Sequence, residues 1–150
     1  MIYLDWLSRF AHVATAITLV GGSLFMVAVL HPALGGIAGD PTLKEIMQNV
    51  RTAVIGRWKR FVHAGVAVFL LSGIYNYARA VPRHRGESSY HAIMGIKMLL
   101  ALGVFFLAAA LVGRSASLQR IRDNRVFWSA VMLLLAFAIV AMSGWLRVAY

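Results

Sequence analysis

The sequence predicts an all-α membrane protein, a four-transmembrane-helix antiparallel bundle in which residues 1–150 form a single domain. Hydrophobic residues make up 61% of the chain and charged residues only 13%, whereas soluble domains average about 25% charged residues. Four apolar stretches, at about residues 4–31, 58–80, 89–113 and 126–147, each approach the roughly 20 residues that cross a bilayer core. No room is left for a separate soluble domain, so any chemistry is expected within the bundle or at its rims.

The first span is predicted to be retained rather than removed as a signal peptide. Its leading segment has no run of basic residues before the apolar stretch and no small-residue cleavage site. The span is expected to end at His31-Pro32, because proline limits helix continuation. Ala14, Thr18 and Gly22 recur every four residues and favour close contact with another helix.

A short interfacial amphipathic helix is predicted between spans one and two, after a turn region over residues 35–41. Apolar residues recur on one helical face there, and Thr42 with Glu45 resembles a capping box. Spans two and three are joined by the short polar segment 81–89, which makes them antiparallel neighbours. Ser88 or Ser89 is predicted to cap the third span.

The positive charge of the chain is explained by membrane topology. The formal net charge is +10, with nine basic residues in or next to loops one and three and five at the opposite side. The positive-inside rule therefore predicts a bacterial inner (cytoplasmic) membrane protein with both termini periplasmic. The bilayer is the expected partner, and nucleic-acid binding is not predicted.

Ionisable residues inside the spans are the candidate functional residues, because each costs roughly 2.5 to 3.5 kcal/mol on insertion scales. His12 lies about 15 Å below the terminal surface by the helical rise. It is interpreted as a haem or other metal ligand, since imidazole is the commonest metal ligand. A hydrogen bond to a neighbouring helix and a proton relay remain alternatives. The chain has no cysteine, which excludes thiolate ligands and covalent c-type haem attachment.

Further candidates lie at two depths. His91 starts the third span as a second ligand candidate or an interfacial residue, and Lys97 lies about 9 Å deeper. Lys97 either snorkels or pairs with a ligand carboxylate, and together with Arg9 it could neutralise haem propionates. His31 and His63 belong to the other half of the membrane, where they could form an inner metal or haem site. His84, in the polar loop, is expected to be solvated.

Three short segments resemble the CopD-like and HemJ-like membrane proteins. They are Ala11-His12 through Phe25, Leu71 to Asn76, and Tyr90-His91 through Lys97 to Leu102. The resemblance to HemJ-like proteins implies haem b and oxidation of protoporphyrinogen IX, with His12, His91 and Lys97 as functional residues. The resemblance to CopD-like domains implies copper tolerance or uptake instead.

The sequence therefore favours a haem-b-binding membrane redox protein, acting in electron transfer or in porphyrinogen oxidation with quinone or another membrane electron partner. Copper is the alternative cofactor, with His12, His91, His63 and His31 as metal ligands in a CopD-like transport protein. A non-catalytic membrane subunit and a homo-oligomer are also left open.

Overall fold

The computed structural model describes residues 1–35, 41–113 and 115–150, and within these ranges the chain is helical and contains no strand. Four helical segments within these residues are long and apolar enough to cross a membrane. This confirms the predicted all-α fold with four helices of membrane-spanning length. The predicted turn over residues 35–41 falls largely on residues outside the described ranges.

The helices follow one another with short connections. α1 covers Ile2–Phe25 and continues through a π-helical segment, Met26–Leu30, into α2, His31–Gly35. α3 covers Pro41–Ala80, and a 3₁₀ turn, Val81–His84, leads to α4, Ser88–Val112. A second 3₁₀ turn, Ala116–Leu118, precedes α5, Gln119–Asp123, and α6, Arg125–Ala149.

The first span does not end at His31-Pro32 as predicted, because the helix passes through the proline. Proline lacks an N–H and its ring clashes with the carbonyl four residues earlier. Here that carbonyl belongs to Ala28, which lies in the π-helical segment Met26–Leu30. In a π turn the carbonyl of residue i accepts from the N–H of residue i+5. The Ala28 carbonyl therefore does not need the N–H that Pro32 lacks. The candidate span accordingly extends over Ile2–Ala33.

The predicted interfacial helix is not a separate element, since its residues form the first part of α3. This helix runs for 40 residues from Pro41 without a break. Gly56 is the only glycine and no proline follows Pro41 before the second span, so nothing in the local sequence interrupts the hydrogen-bond ladder. The candidate span here is Thr42–His84.

The start of α4 also differs from the prediction that a serine caps it. Ser88 and Ser89 are both inside the helix, and Glu87 occupies the N-cap position without a side-chain cap bond. The turn before it is made by Gly86, whose φ of 88° lies in the left-handed region that glycine adopts without strain.

Helix contacts divide the molecule into two tightly packed pairs, α1 with α3 and α4 with α6, and contacts between the pairs are fewer. As residue numbers rise along α1, the numbers of the contacted residues in α3 fall. His12 contacts Gly73, Leu19 contacts Gly65, and Gly22 lies under the Trp58 ring. The two helices therefore run in opposite directions, and small residues allow their close approach.

Two ends of the molecule can be distinguished by these contacts. At one, Asp5 of α1 bonds Arg79 of α3, and Ser89 of α4 bonds Tyr150 after α6. We call this the terminal end, because both chain termini lie there. At the other, here the loop end, residues near His31, Trp58, Val112 and Arg125 line one cavity.

Candidate functional site

His12 of α1 is held against α3 near the middle of the α1–α3 contact. Its Nδ1 lies 3.0 Å from the Ser72 hydroxyl, and its ring packs on Phe69 with centroids 3.9 Å apart. Gly73 makes room for this ring, because a Cβ there would lie 3.2 Å from His12 Cε1. The hydrogen bond to a neighbouring helix, which was the alternative interpretation of His12, is therefore present.

The surroundings of His12 extend to α4. Phe69 contacts Phe105 edge to face, with centroids 5.3 Å apart, so an aromatic chain connects the histidine to the third long helix. Lys97 is half-buried on the same helix, and its charge interacts with His12. Its location at the depth of His12 stays a prediction.

Ser72 fixes the hydrogen-bonding role of the His12 ring. Its hydroxyl lies 2.7 Å from the Val68 carbonyl and 3.2 Å from the Phe69 carbonyl, to which it donates. With the Ser72 proton on one of these carbonyls, the Ser72 oxygen accepts from His12 Nδ1–H, and Nε2 keeps an electron pair. This is the neutral tautomer that a metal ligand requires.

An ion pair links α1 to α3 at the terminal end, beyond His12. Arg79 donates to both carboxylate oxygens of Asp5 at 2.9 and 2.8 Å, and Tyr75 donates to the same carboxylate at 2.8 Å. Such a two-pronged contact is the strong form of an arginine–carboxylate pair. Sequence reasoning assigned no partner to Tyr75 or Arg79, because Asp5 lies on another helix, 70 and 74 residues away in the chain.

Both ring nitrogens of His91 contact other groups at the terminal end. Its Nδ1 lies 3.4 Å from the Tyr77 hydroxyl, and its Nε2 lies 3.1 Å from the His84 carbonyl. Its partner Tyr77 is five residues beyond Ser72 on α3, about 7.5 Å along the axis. The structure thus does not bring His91 to His12 as a second ligand.

The prediction that His84 is solvated is wrong. Its Nδ1 lies 2.9 Å from the Glu87 carboxylate, and its ring stacks on buried Tyr90 with centroids 3.9 Å apart. The loop between spans two and three is thereby fastened to the bundle. The signal was present in the sequence, since the pair is spaced i, i+3 in a tight connection.

The remaining candidates lie apart from His12. His63 is exposed and its Nδ1 contacts the Lys59 carbonyl at 2.7 Å on its own helix, whereas His31 lines a cavity at the loop end. Arg9 is exposed on α1. Within residues 1–35, 41–113 and 115–150, no three histidine, aspartate or glutamate side chains are grouped to hold a metal ion.

Two cavities lie between the helix pairs on the loop-end side of His12. The cavity nearer the loop end, called the mouth cavity, measures about 70 Å³, and its lining includes His31, Trp58, Arg122, Arg125 and Ser129. The cavity nearer His12, called the apolar cavity, measures about 80 Å³ and extends from Ser23 to Phe69. They share Ser23, Val62, Ala108 and Met132 as lining residues, so they are adjacent.

Comparisons with known protein families, with curated proteins and with solved structures find no match to this chain. The likeness to CopD-like and HemJ-like proteins thus rests on three short segments. The functional proposal is therefore based on the geometry around His12.

Proposed function

We propose that this chain is a haem-b-binding integral membrane redox protein with His12 as the protein ligand to the iron. The observation that supports the proposal is the His12–Ser72 contact of 3.0 Å. It orients an imidazole inside a span and leaves Nε2 as an electron-pair donor. Because a polar group within a span is costly, a function for this pair is a stronger explanation than structure alone.

Among the described residues, His12 can bind the iron of a haem as its one histidine ligand, and no second histidine lies beside it. His91, the second ligand named from the sequence, already uses both ring nitrogens at the terminal end. Bound haem with an open position supplies oxygen or substrate chemistry, whereas two imidazoles favour electron transfer alone. The single donor therefore favours porphyrinogen oxidation over simple electron relay, with quinone as the proposed electron acceptor.

Other residues of this chain would serve the bound group. Lys97 lies within electrostatic range of His12 and is the proposed partner of a propionate. Arg9, three residues before His12 and exposed, is the second candidate at the rim. Neither cavity borders His12, so we infer that a haem enters by parting the two helix pairs, whose mutual contacts are few.

We further propose that the four long helices form an antiparallel bundle across a bacterial inner membrane. The loop end carries the larger share of basic residues, including Arg57, Lys59 and Arg60, which favours its cytoplasmic placement. The first part of α3 has an apolar stripe with exposed Leu43, Ile46 and Val50. We place that stripe at the headgroup region, as the interfacial segment of the continuous helix.

The decisive experiment is an optical spectrum of the purified protein, oxidised and dithionite-reduced, with a pyridine haemochrome assay. Wild-type protein is expected to show the reduced α-band of a b haem, and His12→Ala is expected to lose it. His63→Ala is a matched control, because His63 is exposed on α3 and should leave the band unchanged.

Two results would contradict the proposal. One is a colourless protein after expression with added haem, and the other is a band that survives His12→Ala. Tight copper binding lost in His12→Ala or His31→Ala would instead support the CopD-like alternative, for which the described residues provide no grouped ligand set.

A further inference from the structure

We propose that the mouth cavity binds one small planar oxyanion, of the size of nitrate, bicarbonate or formate. The groups that bind the ion are the side chains of Arg122, Arg125 and Ser129, which all line this cavity. The site is separate from the proposed haem site. His12 precedes Ser23, which also lines the mouth cavity, by 11 residues along α1, about 16 Å.

The guanidinium group of Arg122 lacks one hydrogen-bond partner. Its Nη2 donates to the Ser115 carbonyl and, at 2.7 Å, to the Gln119 side chain. Its Nη1 is buried and has no acceptor among the described residues. A buried donor without an acceptor is costly, and more so when it is charged. An anion in the cavity that Arg122 lines provides the missing acceptor.

Ser129 gives independent evidence of a ligand at the same place. It is only 6% exposed and lines the mouth cavity. Serines within helices can bond the carbonyl four residues earlier, as Ser72 and Ser143 do here. The Ser129 hydroxyl makes no such bond and no other bond within the described ranges. Because buried polar groups are nearly always hydrogen-bonded, the cavity beside this hydroxyl is expected to hold a polar ligand.

The lining of the mouth cavity carries positive charge that no acidic residue compensates. Arg125 begins the 25-residue α6, so the positive end of a helix dipole adds to the charge of the two guanidinium groups. His31 lines the cavity as well, and no acidic side chain of the described residues does. Asp123 is exposed and accepts a bond from Gln119 at 2.8 Å instead. An anion therefore fits this lining better than a water molecule does.

The volume of the mouth cavity limits the ion to a few heavy atoms. A cavity of about 150 Å³ holds one benzene ring, so a cavity of about 70 Å³ holds about half as many heavy atoms, roughly three or four. Nitrate, bicarbonate and formate are of this size, and their planar shape matches a guanidinium group. Sulfate and phosphate are tetrahedral and larger, and an acyl chain does not fit.

Saturation-transfer NMR with formate as the probe tests the site in protein purified in a neutral detergent. Formate has a single proton, so its binding is observed directly, at constant ionic strength. We expect one saturable site per chain, from which nitrate displaces formate at a similar concentration. Sulfate should need at least about tenfold more, because it exceeds the volume of the cavity. Formate binding should be unchanged in His12→Ala, which excludes a signal from haem iron.

Variants separate the site from general electrostatics. Arg122→Gln and Arg125→Gln should each weaken formate binding about tenfold, because each removes a charged donor. Arg120→Gln, an exposed neighbour with the same charge change, should leave it unchanged. Ser129→Ala should weaken binding about fivefold, and Ser143→Ala, whose hydroxyl is bonded within its own helix, is the control. Circular dichroism identifies any variant that does not fold, and the other mouth variants then test the site.

Three results would overturn the proposal. The first is the absence of saturable formate binding to the wild-type protein. The second is an equal loss of binding in Arg120→Gln and Arg122→Gln, and the third is displacement of formate by sulfate as readily as by nitrate. These readouts are independent of the haem spectrum, so a failure here leaves the His12 proposal in place.

Discussion

The two ends of this molecule handle charge in opposite ways. At the terminal end, Asp5 meets Arg79 at 2.8 Å and Glu87 meets His84 at 2.9 Å. At the loop end, Arg122 and Arg125 line a cavity that none of the described acidic side chains reaches. At one end the acidic side chains are paired within the chain, and at the other a buried guanidinium has no partner among the described residues.

This difference indicates where a ligand is needed and where it is not. At the terminal end the Asp5 carboxylate already accepts from Arg79, so an added anion would gain little at that arginine. The buried Arg122 Nη1 has no such partner among the described residues, so a bound anion would relieve a real energetic cost. An acidic side chain placed beside Arg122 should therefore stabilise the loop end.

Placing an acid in the mouth cavity should have the largest effect. Ser129 is buried, lies one turn after Arg125 and lines the mouth, so Ser129→Asp would give both arginines an internal counterion. The free energy of unfolding should rise by about 3 kcal/mol, because the aspartate would accept from the buried Arg122 Nη1, which has no partner among the described residues. Thermal unfolding in detergent checks this, and Ser129→Asn is the neutral control. Equal stability of Ser129→Asp and Ser129→Asn would show that position 129 does not provide an acceptor for Arg122.

The α1–α3 contact can be broken beside the same cavity. Gly22→Leu should lower the free energy of unfolding by about 1–3 kcal/mol or more, because the new side chain overlaps the Trp58 ring. Gly21→Leu is the matched control, since no atom lies within 4 Å of a Cβ at that position. Unfolding in a detergent series, followed by circular dichroism, measures both. Equal destabilisation would show that Trp58 does not cover Gly22.

Ser72→Ala tests the orientation of His12 without removing it. Loss of the acceptor at 3.0 Å should weaken haem binding about tenfold, as loss of a ligand-orienting partner commonly does. Haem titration followed by optical absorbance gives the affinity, and Ser143→Ala, a serine bonded only to its own helix at Ile139, is the control. An unaltered affinity would mean that Ser72 does not set the tautomer.

The terminal ion pair should have the smallest effect, because both partners are partly exposed, at 41% and 22% of their side chains. Asp5→Asn and Arg79→Gln should each lower the thermal midpoint slightly, and the double variant should cost less than the sum. A double-mutant cycle monitored by thermal unfolding measures this coupling. Strict additivity would show that the pair contributes no mutual stabilisation.

Hydropathy predicted the four spans because apolar length is a property of each segment alone. The continuation past Pro32 could not be predicted, since it depends on a π turn at Met26–Leu30. The same limit applied to Ser72: nothing in its own segment distinguishes it, and only contact with α1 pairs it with His12. The helical rise predicts Lys97 near the depth of His12, but no sequence pattern could show that His91 turns toward His84.

The division into two tight helix pairs has a consequence for how the chain is assembled. α1 with α3 and α4 with α6 each form a contact-rich hairpin, and the connection between them turns at Gly86. The first hairpin can therefore insert and close while the second is still being synthesised. A gene divided at the codon for Gly86 should still produce, from two separately translated polypeptides, a protein that reassembles in the membrane.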